Sequence, residues 1–363
     1  MVRMKKNALL PAWSVVAPAT GWLLLAGTFL GLGTWFSAVL ALGLMASVLA
    51  AVHHAEVVAH RVGEPYGTLV LAVAVTVIEV ALIVSLMLAG GPATQGLARD
   101  TVFAAVMIIL NGMVGLCLLA GGTRHLEQRF GQHGVSASLA TLAATVTLTL
   151  VLPNYTVTTP GPSYSASQLA FIAVVSVVLY GTFVLVQTVR HRDYFLPADA
   201  AAHEESHAEP PSVRATLVSG GLLMACLAAV VLLGKSLAPT IERAVAAAGA
   251  PPALVGIIIA AVVLMPEGLA ALRAARANRL QTSLNLALGS ALASIGLTIP
   301  AVAIVSLATG WTLNLGIDIK STVLLVLSLM VATLSLGTGR TTVLQGVVHL
   351  VIFAVYLFTT IVP

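Results

Sequence analysis

The sequence predicts an all-α polytopic membrane protein with eleven transmembrane helices, and three observations carry that reading. Hydrophobic residues make up 59% of the 363-residue chain and charged residues only 8%, where a water-soluble domain carries about 25% charged residues. Apolar runs recur at the length a helix needs to cross a bilayer, about 20 residues. The runs show no strand-like alternation and are too long for barrel strands, so the helix is the form in which they satisfy their own backbone in lipid.

The spans are expected at about 12–31, 34–58, 66–91, 100–121, 134–153, 166–189, 214–235, 252–272, 282–308, 320–337 and 341–361. The first follows a basic start, Met1 to Lys6, that resembles a signal peptide. No small-residue cleavage site follows it, so it is read as an uncleaved span. Cys117 and Cys226 fall inside apolar runs and read as packing residues rather than a disulfide. The net charge of +4 does not point to nucleic acid, because in a membrane protein the placement of basic residues matters more than their sum.

That placement orients the chain. With the N-terminus in the cytoplasm and eleven spans, thirteen Lys and Arg residues fall on cytoplasmic segments and four (Arg99, Lys235, Arg243 and Lys320) on outer ones. This is the asymmetry expected in a bacterial inner membrane, and it puts the C-terminus outside. The longest polar segment, 191–212, contains His203, Glu204, Glu205, His207 and Glu209 ahead of Pro210-Pro211. It reads as a solvated linker, or alternatively as a cation-sensing element.

Of thirteen acidic residues, two are expected at bilayer depth. Glu79 ends Leu71-Ala-Val-Ala-Val-Thr-Val-Ile-Glu79, and Glu267 ends Ile257-Ile-Ile-Ala-Ala-Val-Val-Leu-Met-Pro-Glu267. A carboxylate there costs about 2.5–3.5 kcal/mol on insertion scales, and neither helix offers a Lys or Arg at the same depth. Each glutamate must therefore face a wet cavity, bind a cation or carry a proton; the plain alternative is a buried glutamate hydrogen-bonded to neighbouring helices. The two spans lie five apart, an odd number, so they cross in opposite directions, as in inverted repeats that hold a substrate at the midplane. Two carboxylates brought together suit a hard cation, and without one they repel until a proton neutralises one of them. Cation and proton then exclude each other, which is the chemistry of a secondary antiporter.

Other polar groups surround this pair in the sequence. Pro266 withholds its amide and frees the Val262 carbonyl for an ion or water, or merely kinks the helix. Thr76 stands one turn before Glu79. Asn111, Ser290 and Ser294 lie in the spans that follow each glutamate helix, the two serines four apart on one face, although small residues there also serve close helix packing. Asn111 and Ser290 are the favoured near-ligands. At the end of span two, His53, Glu56 and His60 share a face as a candidate gate or proton relay, given the near-neutral pKa of histidine, or as an ordinary interfacial helix end. The His-Glu-x-x-His zinc-protease order is absent.

Several segments resemble the calcium/cation antiporter superfamily, in particular its bacterial calcium/proton antiporters of the Cha type. They are Ala55-Glu56-Val-Val-Ala59, Gly63-Glu-Pro-Tyr-Gly-Thr-Leu-Val-Leu-Ala-Val-Ala-Val-Thr-Val-Ile-Glu79, Arg99-Asp100-Thr-Val-Phe and Met265-Pro-Glu-Gly-Leu-Ala-Ala-Leu-Arg273. The resemblance runs from span two to the end. It implies an N-terminal helix (1–32), a first five-helix repeat (33–190), an acidic linker (191–212) and an inverted second repeat (213–363). It further implies that Glu79 and Glu267 alternately hold cation and proton, and that Glu56 belongs to a gating helix. Relatives often carry Gly-Asn four and three residues before each key glutamate, where this chain has Val75-Thr76 and Val263-Leu264. The implied function is Ca2+/H+ exchange without a cofactor, with Na+ or K+ as the alternative cargo. A channel would need a continuous polar path and an enzyme a nucleophile–base set, and the sequence offers neither.

Overall fold

A computed structural model describes residues 11–33, 35–63, 66–90, 94–196 and 211–362. Among these residues there are eleven long helical segments: α1 (Ala12–Leu30), α2 (Trp35–Val62), α3 (Tyr66–Gly90), α4 (Leu97–His125), α5 (Gln132–Asn154), α6 (Ala166–Arg190), α7 (Val213–Ala247), α8 (Ala253–Arg276), α9 (Leu280–Thr309), α10 (Ile319–Leu336) and α11 (Val343–Ile361). Each covers one expected span, and the ends shift by a few residues as the caps dictate. Ser212 and Asp318 accept from Ala215 N and Ser321 N to start α7 and α10, satisfying amides that a helix cannot pair internally. Ser165 with Gln168, and Thr342 with Gln345, form capping boxes on α6 and α11. The exception to these small shifts is α7, whose 35 residues extend about 52 Å, well beyond a hydrocarbon core of about 30 Å. Its extension beyond the expected end at 235 holds the polar Glu242 and Arg243, which the apolar count placed outside span seven.

The chain divides into two compact units. One contains 1–89 and 207–248, hence α1, α2, α3 and α7; the other contains 90–206 and 249–363, hence α4–α6 and α8–α11. In the first unit α1, α2 and α7 meet through small residues. A Cβ on Gly21 would lie 2.6 Å from Ser47 Oγ, and one on Gly234 of α7 would meet Leu82 Cδ1 of α3. His54, fully buried, ties the three together, with Nε2 2.9 Å from the Ser14 carbonyl and Nδ1 3.4 Å from Ser219 Oγ.

In the second unit the most enclosed helix is α4, 83% buried over its apolar window. It is not α-helical throughout: Ile108–Met113 forms a π-helical stretch, a local widening frequently found at functional sites. Shorter π-helical stretches end α5 and α6, at Thr147–Val151 and Val186–Arg190. At one end of the unit, two short strands form an antiparallel clasp between the α4–α5 and α10–α11 turns, pairing Gln128 with Thr341 and Arg129 with Arg340. At the other, Leu315 N and Gly316 N donate to the Pro162 carbonyl, Ile317 N donates to Leu150 O, and Asn154 Nδ2 donates to Ile317 O. Burial pushes the Tyr164 hydroxyl in this region up to about 12, so it stays protonated and donates to Leu148 O at 2.6 Å.

The segment expected as a solvated linker begins in folded structure. Arg192–Phe195 is a 3-10 turn; Phe195 is buried edge-on to Phe183, and its carbonyl accepts from Asn285 Nδ2 at 2.6 Å. His203, Glu204, Glu205, His207 and Glu209 lie outside the described residues.

In the second unit α4 and α11 approach each other closely through glycines. A Cβ on Gly346 would sit 2.5 Å from Leu119 N and 3.0 Å from the Gly115 carbonyl, and one on Gly115 would sit 3.1 Å from Leu350 N. These neighbours are backbone and cannot swing aside. Gly346→Val is therefore expected to destabilise the protein by about 1–3 kcal/mol, read as a lowered thermal midpoint in detergent. Gly220→Val, where nothing lies within 4 Å, is the control and should change it little.

Candidate ion-binding site

Glu79 is held in the first unit by the apolar surroundings of α3. It is 3% exposed and Thr76, one turn earlier, 4%, among buried Val75, Ile78, Leu82 and Ile83. The turn of helix that carries them therefore presents a hydroxyl and a carboxylate on one buried stripe. Glu267 lies in the second unit on α8. Its side chain is half-buried and its Oε2 is shielded from solvent. Pro266 beside it is buried, and α8 runs unbroken from Ala253 to Arg276 through it, so the freed Val262 carbonyl arises without a helix break. Helix α4 also reaches this turn: Met113 Cε, at the end of the π-helical stretch, lies 3.4 Å from the Cβ position of Gly268, an ordinary contact.

The remaining expected residues fall into three environments. Ser294 on α9 is buried at 2% exposure and Ser290, one turn earlier, is half-buried. Asn111 is fully buried in the π-helical stretch, and its amide is already engaged. Asn111 Nδ2 donates to Ser328 Oγ of α10 at 2.8 Å, and Asn111 Oδ1 lies 3.4 Å from His349 Nδ1 of α11. His349 Nε2 in turn lies 2.8 Å from Ser335 Oγ, while Ser328 and Ser335 both donate to their own helix, to Leu324 O and Val331 O. The face expected as a gate splits. His53 is half-buried with its ring on Trp13 at 5.2 Å, whereas Glu56 and His60 are exposed and the inward-facing histidine is His54.

Among the described residues, no three His, Cys, Asp or Glu side chains form a metal-ligand group. A cation held by this chain would thus take one or two carboxylates and complete its shell with hydroxyl, carbonyl or water oxygens, as hard cations accept.

A family model described as sodium/calcium exchanger protein matches residues 32–189 and 218–362. The chain belongs to this family. The two matched stretches of the exchanger each cover five helices, α2–α6 and α7–α11, and the second helix of each carries one of the two intramembrane glutamates. The exchanger is 51% identical to the putative ionic transporter y4hA of Sinorhizobium fredii, over 99% of this chain and 98% of that protein. It is 37% identical to the sodium-potassium/proton antiporter ChaA of Escherichia coli, over 88% of this chain and 86% of that one. The solved structure of native YfkE superposes with a TM-score of 0.73 at 18% identity, covering 96% of this chain and all of the other, which fixes the fold as that of a multi-pass membrane protein.

Sequence reasoning missed Ser328, Ser335 and His349 of the exchanger. A signal was present: His349 stands alone in the apolar run of α11, and Ser328 and Ser335 are seven apart on one face of α10. Asn111→Leu would leave Ser328 and His349 without their amide partner, at a cost of about 1–3 kcal/mol. Thermal unfolding in detergent should show that loss, and Ser290→Ala should show much less.

Proposed function

We propose that this exchanger is a secondary cation/proton antiporter of the bacterial inner membrane, with Glu79 and Glu267 as the groups that alternately hold cation and proton. The observation that carries it is the pair of carboxylates placed inside apolar helices, each in the second helix of a matched five-helix stretch. Family membership and the 37% identity to an antiporter that couples cation to proton movement support the same reading.

The mechanism follows from charge. Two carboxylates sharing a site cannot both stay ionised without a counter-charge. A cation binding between them lets both ionise and releases protons; when the cation leaves, protons return. The site titrates as a pair rather than as two independent acids. In this account 33–190 and 213–363 are inverted repeats joined by 191–212, after the N-terminal helix 1–32, and each repeat contributes one of the two glutamates. Thr76, Ser290 and Ser294 supply neutral oxygens, and His53, Glu56 and His60 line the proton path from the cytoplasmic side, where the N-terminus lies. Thirteen cytoplasmic basic residues against four outer ones support that orientation, with the C-terminus outside.

The cargo is Ca2+ in the first reading, from the resemblance of the Met265-Pro-Glu267 segment and from the family itself. A specific observation favours a second reading, Na+ or K+: the 37% identical relative is a sodium-potassium/proton antiporter, and Val75-Thr76 and Val263-Leu264 provide no amide ligands. Everted vesicles carrying a preformed proton gradient and a pH dye separate the two. Addition of the transported ion, tested among Ca2+, Na+ and K+, dissipates the gradient. Glu79→Gln and Glu267→Gln should each lower that response at least about a hundredfold, the loss expected when a binding carboxylate that titrates in the cycle is made neutral, while membrane insertion is unchanged. Normal exchange by either variant overturns the site, and cation flux without proton movement overturns the antiport.

A further inference from the structure

The end of the second unit that holds the β-clasp has an unusual charge composition. Stretches 124–134, 190–196, 273–281 and 337–342 contain eight arginines, no lysine and two acidic residues, Glu127 and Asp193. The fold gathers these stretches. Gln128 Nε2 donates to Ala275 O at 2.9 Å and to Asn278 Oδ1 at 3.0 Å, and His125 Nε2 lies 3.0 Å from the Arg276 carbonyl. The clasp sets Arg129 directly opposite Arg340, a like-charge pairing that weakens a ladder unless something compensates. Among the described residues, what compensates is one atom: Glu127 Oε1 lies 3.5 Å from Arg129 Nε and 3.5 Å from Arg340 Nη1. Both distances exceed those of a charge-assisted hydrogen bond, and the two side chains remain 72% and 58% exposed. Arg124, Arg273, Arg276 and Arg279 around the clasp are exposed as well.

Two further features identify the missing partner. Exclusive use of arginine points to an acceptor with paired oxygens, because the planar guanidinium fork binds a phosphate through two parallel hydrogen bonds where lysine offers a point charge. The position points to a membrane: every one of these stretches is the end of a helix long and apolar enough to cross a bilayer, or the turn beyond it, where a bilayer would present its headgroups. An open patch of exposed side chains gives a single small ion little hold, whereas a leaflet presents phosphates side by side to several arginines at once.

We propose that this arginine-lined end, centred on Arg129 and Arg340, is a docking surface for the phosphate headgroups of anionic phospholipids in the facing leaflet. The lipid completes the charge balance that Glu127 leaves unfinished, and so holds the α4–α5 and α10–α11 turns together. The inference does not depend on which ion the exchanger carries.

The test uses the full chain in nanodiscs of phosphatidylcholine with or without phosphatidylglycerol, reading lipid retained by native mass spectrometry and the thermal midpoint. Wild type should retain phosphatidylglycerol and melt higher in its presence. Arg129→Gln/Arg340→Gln should weaken that retention by roughly fivefold for each arginine and abolish the thermal gain. Arg129→Lys/Arg340→Lys keeps the charge and the fold while removing the fork, and should lie between the two. Wild-type retention by both double variants would overturn the proposal. So would an equal thermal gain from inorganic phosphate in phosphatidylcholine discs, which would assign the surface to a free anion. Each readout is independent of transport activity.

Discussion

A carboxylate inside an apolar helix costs about 2.5–3.5 kcal/mol on insertion scales, and the chain accepts that cost twice, at Glu79 and Glu267. Neither helix carries a Lys or Arg at that depth, and in the proposed cycle a proton or a cation offsets the charge. In the proposed mechanism that exchange of counter-charges is what couples cation movement to proton movement. A permanent salt bridge would satisfy the carboxylates and leave them inert, whereas mobile counter-charges satisfy them one at a time. The buried hydroxyl of Thr76, and the carbonyl that Pro266 frees without breaking α8, add oxygens at the same turns without adding fixed charge.

The scaffold around these groups is governed by a second rule of the bilayer, that backbone and polar side chains must be satisfied within the protein. In the second unit this is done by close helix contact, which Gly115 and Gly346 permit, and by a buried polar relay from Ser328 through Asn111 and His349 to Ser335. The relay ties α4, α10 and α11 at the π-helical stretch. In the first unit, His54 does the same for α1, α2 and α7 with a single ring. Each unit thus has its own polar lock, distinct from its carboxylate.

Much of this could be read before any coordinates. Span number and position follow from a pattern repeated over about 20 residues, and such a signal survives local irregularity. The glutamates stood out because charge is rare at that depth, and the structure buries Glu79 to 3% exposure. What escaped were features set by tertiary pairing. Asn111 read as an ion ligand because an amide in lipid needs a partner, but the partners are Ser328 and His349, more than two hundred residues away. His54 was hidden among adjacent histidines, since one residue of difference on a helix turns a ring by about 100°. The length of α7 was misjudged because hydropathy ends where polar residues begin, while the helix continues through them to Ala247.

Proton release on cation binding tests the shared-site claim most directly. Purified protein in a weakly buffered detergent solution is titrated with the transported cation while pH and bound cation are followed together. The account predicts that binding and proton release rise in parallel and that Glu79→Gln and Glu267→Gln each diminish both. Cation binding at wild-type affinity with undiminished proton release in either variant would contradict it.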